Sequence, residues 1–253
     1  MRKERLLTSA ALIYGLAAYA ISFITFLYTI GFVSNLFVPK SVDSVAQGTL
    51  GEALLIDGGL FLLFALQHSL MARRWFKARW TRLVPEPLER STYVLVSGLL
   101  LLFLFWQWRP VPAVVWELEY PLAQRVVELL FWLGWLIALH SIFLIDHRDF
   151  FGVRQVWLYA RGQPYDPVKF KMPDLYRYVR HPLMLGLLMA FWATPVMTLG
   201  HFAFAAAFTV YILIGIRLEE RDLQELYGEA YLEYRRRVPM LIPLPRKKVG
   251  SEQ

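Results

Sequence analysis

The sequence predicts an all-α, polytopic membrane helix bundle, and three observations predict it. Hydrophobic residues make up 57% of the 253-residue chain, against about 45–50% in soluble globular domains. The mean hydropathy is +0.41. Charged residues are missing from long windows and bunched between them, the alternation that spanning helices and their polar connections produce. Five to six transmembrane segments, including a short C-terminal helical hairpin, plus a cytoplasmic amphipathic C-terminal helix, account for residues 1–253 as one integral membrane domain.

The first apolar window, 9–34, follows the basic head "MRKERLL". Its length far exceeds the roughly 7–15 residues of a signal-peptide core, and no A-x-A-like site follows it, so it predicts a retained helix. Windows at 53–71, 93–108 and 124–146 come next. The third window is short for the roughly 20 residues of a perpendicular span, as are 183–197 and 201–216. The run from Leu183 to Ile216 is interrupted by Thr194-Pro195 and Gly200-His201. Proline breaks the helical ladder and glycine permits a turn, which predicts the hairpin.

Between the fourth and fifth windows lies "HRDFFGVRQVWLYARGQPYDPVKFKMPDLYRYVR". Phe150, Phe151, Trp157, Tyr159, Tyr165, Phe170, Tyr176 and Tyr178 are too many rings for a solvated loop, so the segment is expected against the headgroups or under the helices. After Ile216, Leu223, Leu226, Tyr227, Ala230, Tyr231 and Tyr234 recur at helical spacing, with Gly228 interrupting and Pro239 ending the amphipathic stretch.

With the N-terminus inside, all but Lys40, Arg109 and Arg125 of the 27 Lys and Arg fall on the cytoplasmic side. The positive-inside rule therefore predicts an inner (cytoplasmic) membrane protein with both termini cytoplasmic. The net charge of +7 is then topology in a lipid bilayer, and no nucleic-acid partner is expected. Cysteine is absent, which excludes disulfides, thiolate metal ligands and a cysteine nucleophile.

Polar groups beside apolar helices are functional candidates, because lipid does not solvate them. Gln67 and His68, Asp146 and His147, Arg180 and His181, and Glu219 and Glu220 all fall at the cytoplasmic boundary, while His140 lies deeper and reads as a bundle-facing hydrogen bonder. Each also has a plainer reading. Arg180 serves equally as a snorkelling anchor, Pro182 as a first-turn residue, His68 as a cap, and Glu219-Glu220 as a helix end. No H-E-x-x-H, H-x-x-x-H, G-x-G-x-x-G or Walker pattern occurs, so neither a metal nor a soluble-type nucleotide cradle is expected.

The motif R-H-P-x-x-x-G at Arg180, His181, Pro182 and Gly186, followed by Glu219, Glu220, Leu223, Tyr227, Gly228, Tyr231, Tyr234, Val238, Pro239, Ile242 and Pro243, resembles the isoprenylcysteine carboxyl methyltransferase superfamily over about 180–243. "QHSLMARRWFKARW", "PEPLERSTYVL" and "IDHRDFFGVRQVWLYARGQPY" extend the resemblance, over nearly the whole chain, to its bacterial methanethiol S-methyltransferase branch. Where the carboxyl methyltransferases have R-H-P-x-Y-x-G, this chain has Met184 in place of the tyrosine, which disfavours a prenylated substrate and fits a small thiol.

That resemblance implies S-adenosyl-L-methionine as cofactor, a small-thiol acceptor such as methanethiol giving dimethyl sulfide, and a cofactor-binding half at about 147–243. It implies Arg180, His181, Pro182, Gly186, Glu219 and Glu220 as cofactor-binding residues, with Tyr178, Tyr231 and Tyr234 lining the adenine or sulfonium or else stacking within the protein. His147, beside Asp146, or His68, beside Gln67, is the expected base for the thiol, His147 being favoured because Asp146 is placed to hold its proton. The rival readings are a related methyltransferase acting on another thiol or carboxylate, and a non-catalytic, haem-associated membrane protein.

Overall fold

The computed structural model describes residues 2–45, 48–166 and 173–243, with the side chains of 2–5 left aside. Lys169, Phe170, Lys171, Arg246, Lys247 and Lys248, which entered the charge and aromatic arguments, lie outside the described residues.

Helix α1 (Arg2–Ser34) is followed by α2 (Leu50–Ala72), the short α3 (Arg74–Trp80) and α4 (Glu86–Gln107). Strand β1 (Val114–Glu117) leads to α5 (Pro121–Leu144), α6 (His147–Phe150) and α7 (Val153–Ala160). The chain then forms α8 (Pro182–Trp192), β2 (Val196–Thr198), α9 (Leu199–Tyr227) and α10 (Glu229–Arg237). Among the described residues, five helices are long and apolar enough to cross a membrane: α1 from Leu6, α2, α4, α5 and α9. The protein is a multi-pass membrane protein of all-α class.

Local chemistry sets the ends of these helices. Thr49 and Glu52 form a reciprocal capping box at the start of α2. Proline occupies the first turn of α4, α5 and α8, where its missing N–H costs nothing. The hairpin of α8 and α9 is as expected, but its arms are unequal. At 11 residues α8 is about 16 Å long and cannot cross a bilayer core of about 30 Å. The turn after it carries β2, which pairs antiparallel with β1 (Val114 opposite Thr198, Trp116 opposite Met197) and satisfies backbone groups the helices leave free.

The amphipathic stretch after Ile216 is not a separate helix at first. It continues α9 for 11 further residues, to Tyr227, because no breaker intervenes before Gly228, and only α10 stands apart.

α1 packs on α4, α2 on α4, and α5 on α8. The last contact is the closest. A Cβ on Gly134 would lie 2.7 Å from the Gly186 oxygen, and one on Gly186 would lie 2.5 Å from the Gly134 oxygen. Small residues at a helix crossing let backbones meet in lipid. Phe32, Phe105, Trp108, Phe191, Phe204 and Phe208 form a large aromatic core, while Met71, Tyr93, Val94, Ile142 and Phe151 form a second, smaller one. Part of the aromatic connection packs under the helices, with Phe151 buried and Val156 of α7 buried against α1 at Gly15, while Trp157, Tyr159, Tyr165 and Tyr178 stay exposed. His140 corrects the expectation made for it: it is exposed, because α5 turns Phe131, Gly134, Trp135, Ala138, Ser141 and Ile142 inward instead.

Candidate functional site

The start of α8 is fixed by the chain that follows α10. The N–H groups of Arg180 and His181 donate to the carbonyls of Pro239 and Met240 at 2.9 and 3.2 Å. This strand-like pairing brings both side chains onto the C-terminal half of α9. The Arg180 side chain is 5% exposed and that of Glu220 8%. Arg180 Nε and Nη2 both reach Glu220 Oε1 at 2.7 Å, and Nη1 donates to the carbonyls of Arg235 and Val238. A guanidinium so buried requires this degree of satisfaction.

His181 Nε2 lies 3.0 Å from Glu220 Oε1, and Nδ1 lies 3.5 Å from Glu219 Oε2. Burial alone would lower its pKa, but the hydrogen bonds and charges of Glu219 and Glu220 outweigh burial and raise it. With a carboxylate at each ring nitrogen, the imidazolium is the favoured form. Arg235 Nε completes the group at 3.4 Å from Glu220 Oε2.

Beside this clasp an open cleft of about 410 Å³ is lined by Arg180, Leu232, Arg235 and Arg236. Arg236 pairs with Glu229 at 3.3 Å at the solvent edge, an exchangeable surface pair, whereas half-exposed Arg235 reaches inward to the buried Glu220. Glu219 is 52% exposed. Tyr231 and Tyr234 are buried, with ring centroids 6.0 Å apart, and the Tyr234 hydroxyl donates to the Tyr176 carbonyl at 2.7 Å. Burial, with Glu220 nearby and Arg180 opposing, pushes the Tyr234 phenol up to about 12.

The remaining expected residues fall elsewhere. Tyr178 is exposed, at 68%. Pro182 is buried in the first turn of α8, and Gly186 faces Gly134 and Ala138, so its missing Cβ admits a neighbouring helix. Asp146 caps α6: its carboxylate accepts from the Arg148 N–H at 3.1 Å and from Arg148 Nε at 3.4 Å. The expected Asp146–His147 partnership is therefore corrected, because the acid that was to hold the His147 proton is turned to Arg148. The His147 ring instead lies against Phe143 and Tyr19, with centroids at 4.7 and 6.1 Å.

His68 sits in a different setting. Its Nε2 is 2.8 Å from the Tyr93 hydroxyl and its Nδ1 is 3.1 Å from Ser97 Oγ. Ser97 spends its one hydrogen on the Tyr93 carbonyl at 2.8 Å or on Gln67 Oε1 at 3.2 Å, so its oxygen accepts from Nδ1–H. This assigns the neutral tautomer with a bare Nε2 receiving the Tyr93 O–H. Tyr211 of α9 stands over the same ring, with centroids 6.2 Å apart. Tyr93, Ser97, Tyr211 and Arg235 were not singled out from sequence. Ser97 was the available signal, as a hydroxyl within "VLVSGLLLLF", with Tyr93 four residues earlier on the same helix face.

The expected polar groups therefore form two clusters rather than one. Arg180, His181, Glu219, Glu220 and Arg235 make the clasp; Gln67, His68, Tyr93 and Ser97 make a second group, which α9 links to the first through Tyr211 and Glu219.

Comparison with known proteins gives consistent relatives. The chain is 53% identical to the methanethiol S-methyltransferase of Crocosphaera subtropica over 237 residues, 94% of this chain and 93% of the relative. It is 49% identical to the methanethiol S-methyltransferase of Mycobacterium tuberculosis over 236 residues, 93% of this chain and 97% of that one. Nurim of Xenopus laevis is 33% identical over 187 residues, 69% of this chain and 64% of Nurim. No family model matches the chain, and no solved structure matches it significantly.

Proposed function

The chain belongs to the methanethiol S-methyltransferase family, and on that premise we propose that it methylates methanethiol to dimethyl sulfide, with S-adenosylmethionine as donor. We further propose that it works at the cytoplasmic face of the inner membrane with both termini inside. The observation that carries the donor assignment is the cleft beside the buried Arg180–Glu220–His181 clasp.

The residues present fit such a donor. The cleft volume falls within the roughly 300–1,000 Å³ of small-molecule sites. Arg236, held only by a surface pair, and the half-exposed Arg235 beside it offer cations to a carboxylate, and Glu219 offers acceptor oxygens to an ammonium or a ribose diol. Arg180 is already committed to Glu220 and two carbonyls, so its part is to position that wall. When bound, the donor supplies an electrophilic methyl on a positively charged sulfur.

The chain's own task is the acceptor proton. A small thiol, if its pKa is about 8.5 as for cysteine, is mostly protonated at neutral pH. His68 has a bare Nε2 held against the Tyr93 hydroxyl, so a proton given to Tyr93 oxygen is matched by one passed from Tyr93 to His68. Exclusion of water by the surrounding rings of Phe64 and Tyr211 favours the charge-neutralising transfer.

The test is headspace gas chromatography of membranes given methanethiol and donor carrying an isotopically labelled methyl. Labelled dimethyl sulfide is the expected product. Its absence, with folded protein verified, would overturn the assignment; unlabelled product would overturn the donor alone.

A further inference from the structure

Helix α9 meets α2 through the rings of Phe61 and Phe64 on Phe208 and, further along, through two polar side-chain bridges. At the first, Ser69 Oγ donates to the Tyr211 hydroxyl at 3.3 Å, and the Tyr211 ring lies near Phe61, Phe64 and His68. At the second, Arg73 Nη1 pairs with Asp222 at 3.2 Å, and Arg74 reaches the Asp222 carbonyl at 3.3 Å.

The spacing of these bridges differs on the two helices. On α2 they stand four residues apart, about 6 Å, whereas on α9 they stand eleven apart, about 16 Å. Long side chains therefore close the seam, and the backbones stand off between them.

Gly215 occupies that stand-off. It is four residues after Tyr211 and seven before Asp222, so it shares their face. A Cβ added there would meet nothing within 4 Å, whereas at Gly134 or Gly186 it would strike the opposite backbone. Ile212 and Ile216 on either side are buried while Ile214 is half exposed, so Gly215 stands at the border between the core and the outer face of α9. Along α9, Gly215 is one turn, about 6 Å, from Tyr211 over His68 and one turn from Glu219 beside the cleft.

We propose that the open seam at Gly215 is the acceptor passage and that the missing side chain there sets which thiols fit. This rests on the methyl-transfer reading above. An uncharged, apolar thiol partitions into lipid, passes between α2 and α9 at this gap, and halts over Gly215 with its S–H toward Tyr93. There the S–H bond breaks and its proton passes through Tyr93 to His68. The thiol sulfur forms the new S–C bond as the donor's S–C(methyl) bond breaks, and the donor sulfur leaves neutral.

Gly215→Ala and Gly215→Leu in the full-length protein test this, with Gly58→Leu as control, since Gly58 is an exposed glycine of α2 that also meets nothing within 4 Å. The expected result is a stepwise loss of kcat/KM for methanethiol, by roughly 10–200-fold at Gly215→Leu, the scale set by small volume changes in a fitted site. The loss is expected to be steeper for ethanethiol, with donor affinity kept and thermal stability equal or higher. Gly58→Leu is expected to match the parent. Parent-like methanethiol kinetics in Gly215→Leu, with the parent making dimethyl sulfide, overturns the passage alone. Equal loss of donor binding and stability in both Gly215 variants overturns it in favour of a structural role. A parent that makes no dimethyl sulfide overturns the methyl-transfer reading itself.

Discussion

The two ends of α8 are each pinned by a buried histidine facing a carboxylate, and they differ in what lies beside the pin. At the N-terminal end His181 and Arg180 share Glu220 next to an open cleft. At the opposite end His201, 1% exposed, places Nε2 3.0 Å from the Phe191 carbonyl at the close of α8 and Nδ1 3.5 Å from Asp43. There Thr198 Oγ1 also donates to Asp43, Asn35 Nδ2 does so at 2.9 Å, and the β1–β2 pair closes over the turn. The Asp43 cluster is taken up with joining segments. A buried histidine–carboxylate pair in this fold is first a staple for a helix too short to span, and the proposed donor site lies only where arginines and a half-exposed glutamate rim a cleft.

The sharpest way to break that comparison is to remove the shared acceptor. Glu220→Ala leaves Arg180 and His181 buried without their counter-charge, a loss of about 3–5 kcal/mol for a broken buried pair. Thermal unfolding in detergent should fall steeply, and donor binding by calorimetry should be lost with it. Asp43→Ala at the other end of α8 should lower stability while any protein that remains folded still binds donor. If Asp43→Ala abolished donor binding in folded protein, the division between staple and site would fail.

The second largest effect separates the two histidines that sequence left in competition. His68→Ala should lower turnover by about 10²–10⁴-fold, the usual worth of a positioned proton acceptor, with donor affinity nearly intact. Tyr93→Phe should follow in the same direction, because it removes the hydroxyl that meets His68 Nε2 and through which the acceptor proton is proposed to pass. His147→Ala should stay close to the parent, since its ring meets Phe143 and Tyr19 and its neighbouring acid serves Arg148. Single-turnover rates with donor prebound would check all three.

Much of this was legible before any coordinates, and the reasons are local. Apolar windows located all five long helices, and Thr194-Pro195 with Gly200-His201 marked the α8–α9 turn, because those signals depend on a few adjacent residues. The Arg180, His181, Glu219 and Glu220 group was legible as polar residues in a place lipid does not tolerate. What escaped were relations across helices. The Asp146–His147 adjacency misled because neighbours in a chain point in different directions, and Asp146 is held as a cap at φ 80°. Tyr93 and Ser97 gain meaning only when α4 is laid against α2, and the length of α9 only when its charges are seen to find partners on α2, α8 and α10.

The two ends should also part company with pH. His181 has a raised folded pKa against an ordinary value of 6.5. Its contribution is fully present below the ordinary value and is lost as pH climbs through the raised one. Asp43 is the reverse case. Burial would raise its pKa, but hydrogen bonds from His201, Thr198 and Asn35 outweigh burial and hold it below its ordinary 3.8. Its contribution is present above that value and is lost as pH falls through the depressed one. Mild alkali should therefore loosen the clasp and leave the Asp43 cluster in place, and the Asp43 cluster should loosen only in strong acid. Hydrogen exchange at 180–181 and 238–241, followed against 41–44 and 196–201, reads the two ends separately. Loss of both in the same pH window would merge the staples into one cooperative unit.

The smallest expected effect decides what the buried tyrosines are for. Tyr234→Phe keeps the ring and its packing on Tyr231 but removes the hydrogen bond to the Tyr176 carbonyl. A single such bond is worth about 0.5–1.5 kcal/mol net, so unfolding should shift slightly while donor affinity and turnover stay near the parent. The bond ties α10 to the segment just before Arg180, and a small loss there should also speed hydrogen exchange at 178–181. If donor affinity fell tenfold instead, about 1.4 kcal/mol at the binding step, the Tyr234 hydroxyl would be facing the donor, and the boundary between the clasp and the cleft would move one residue outward from Arg235.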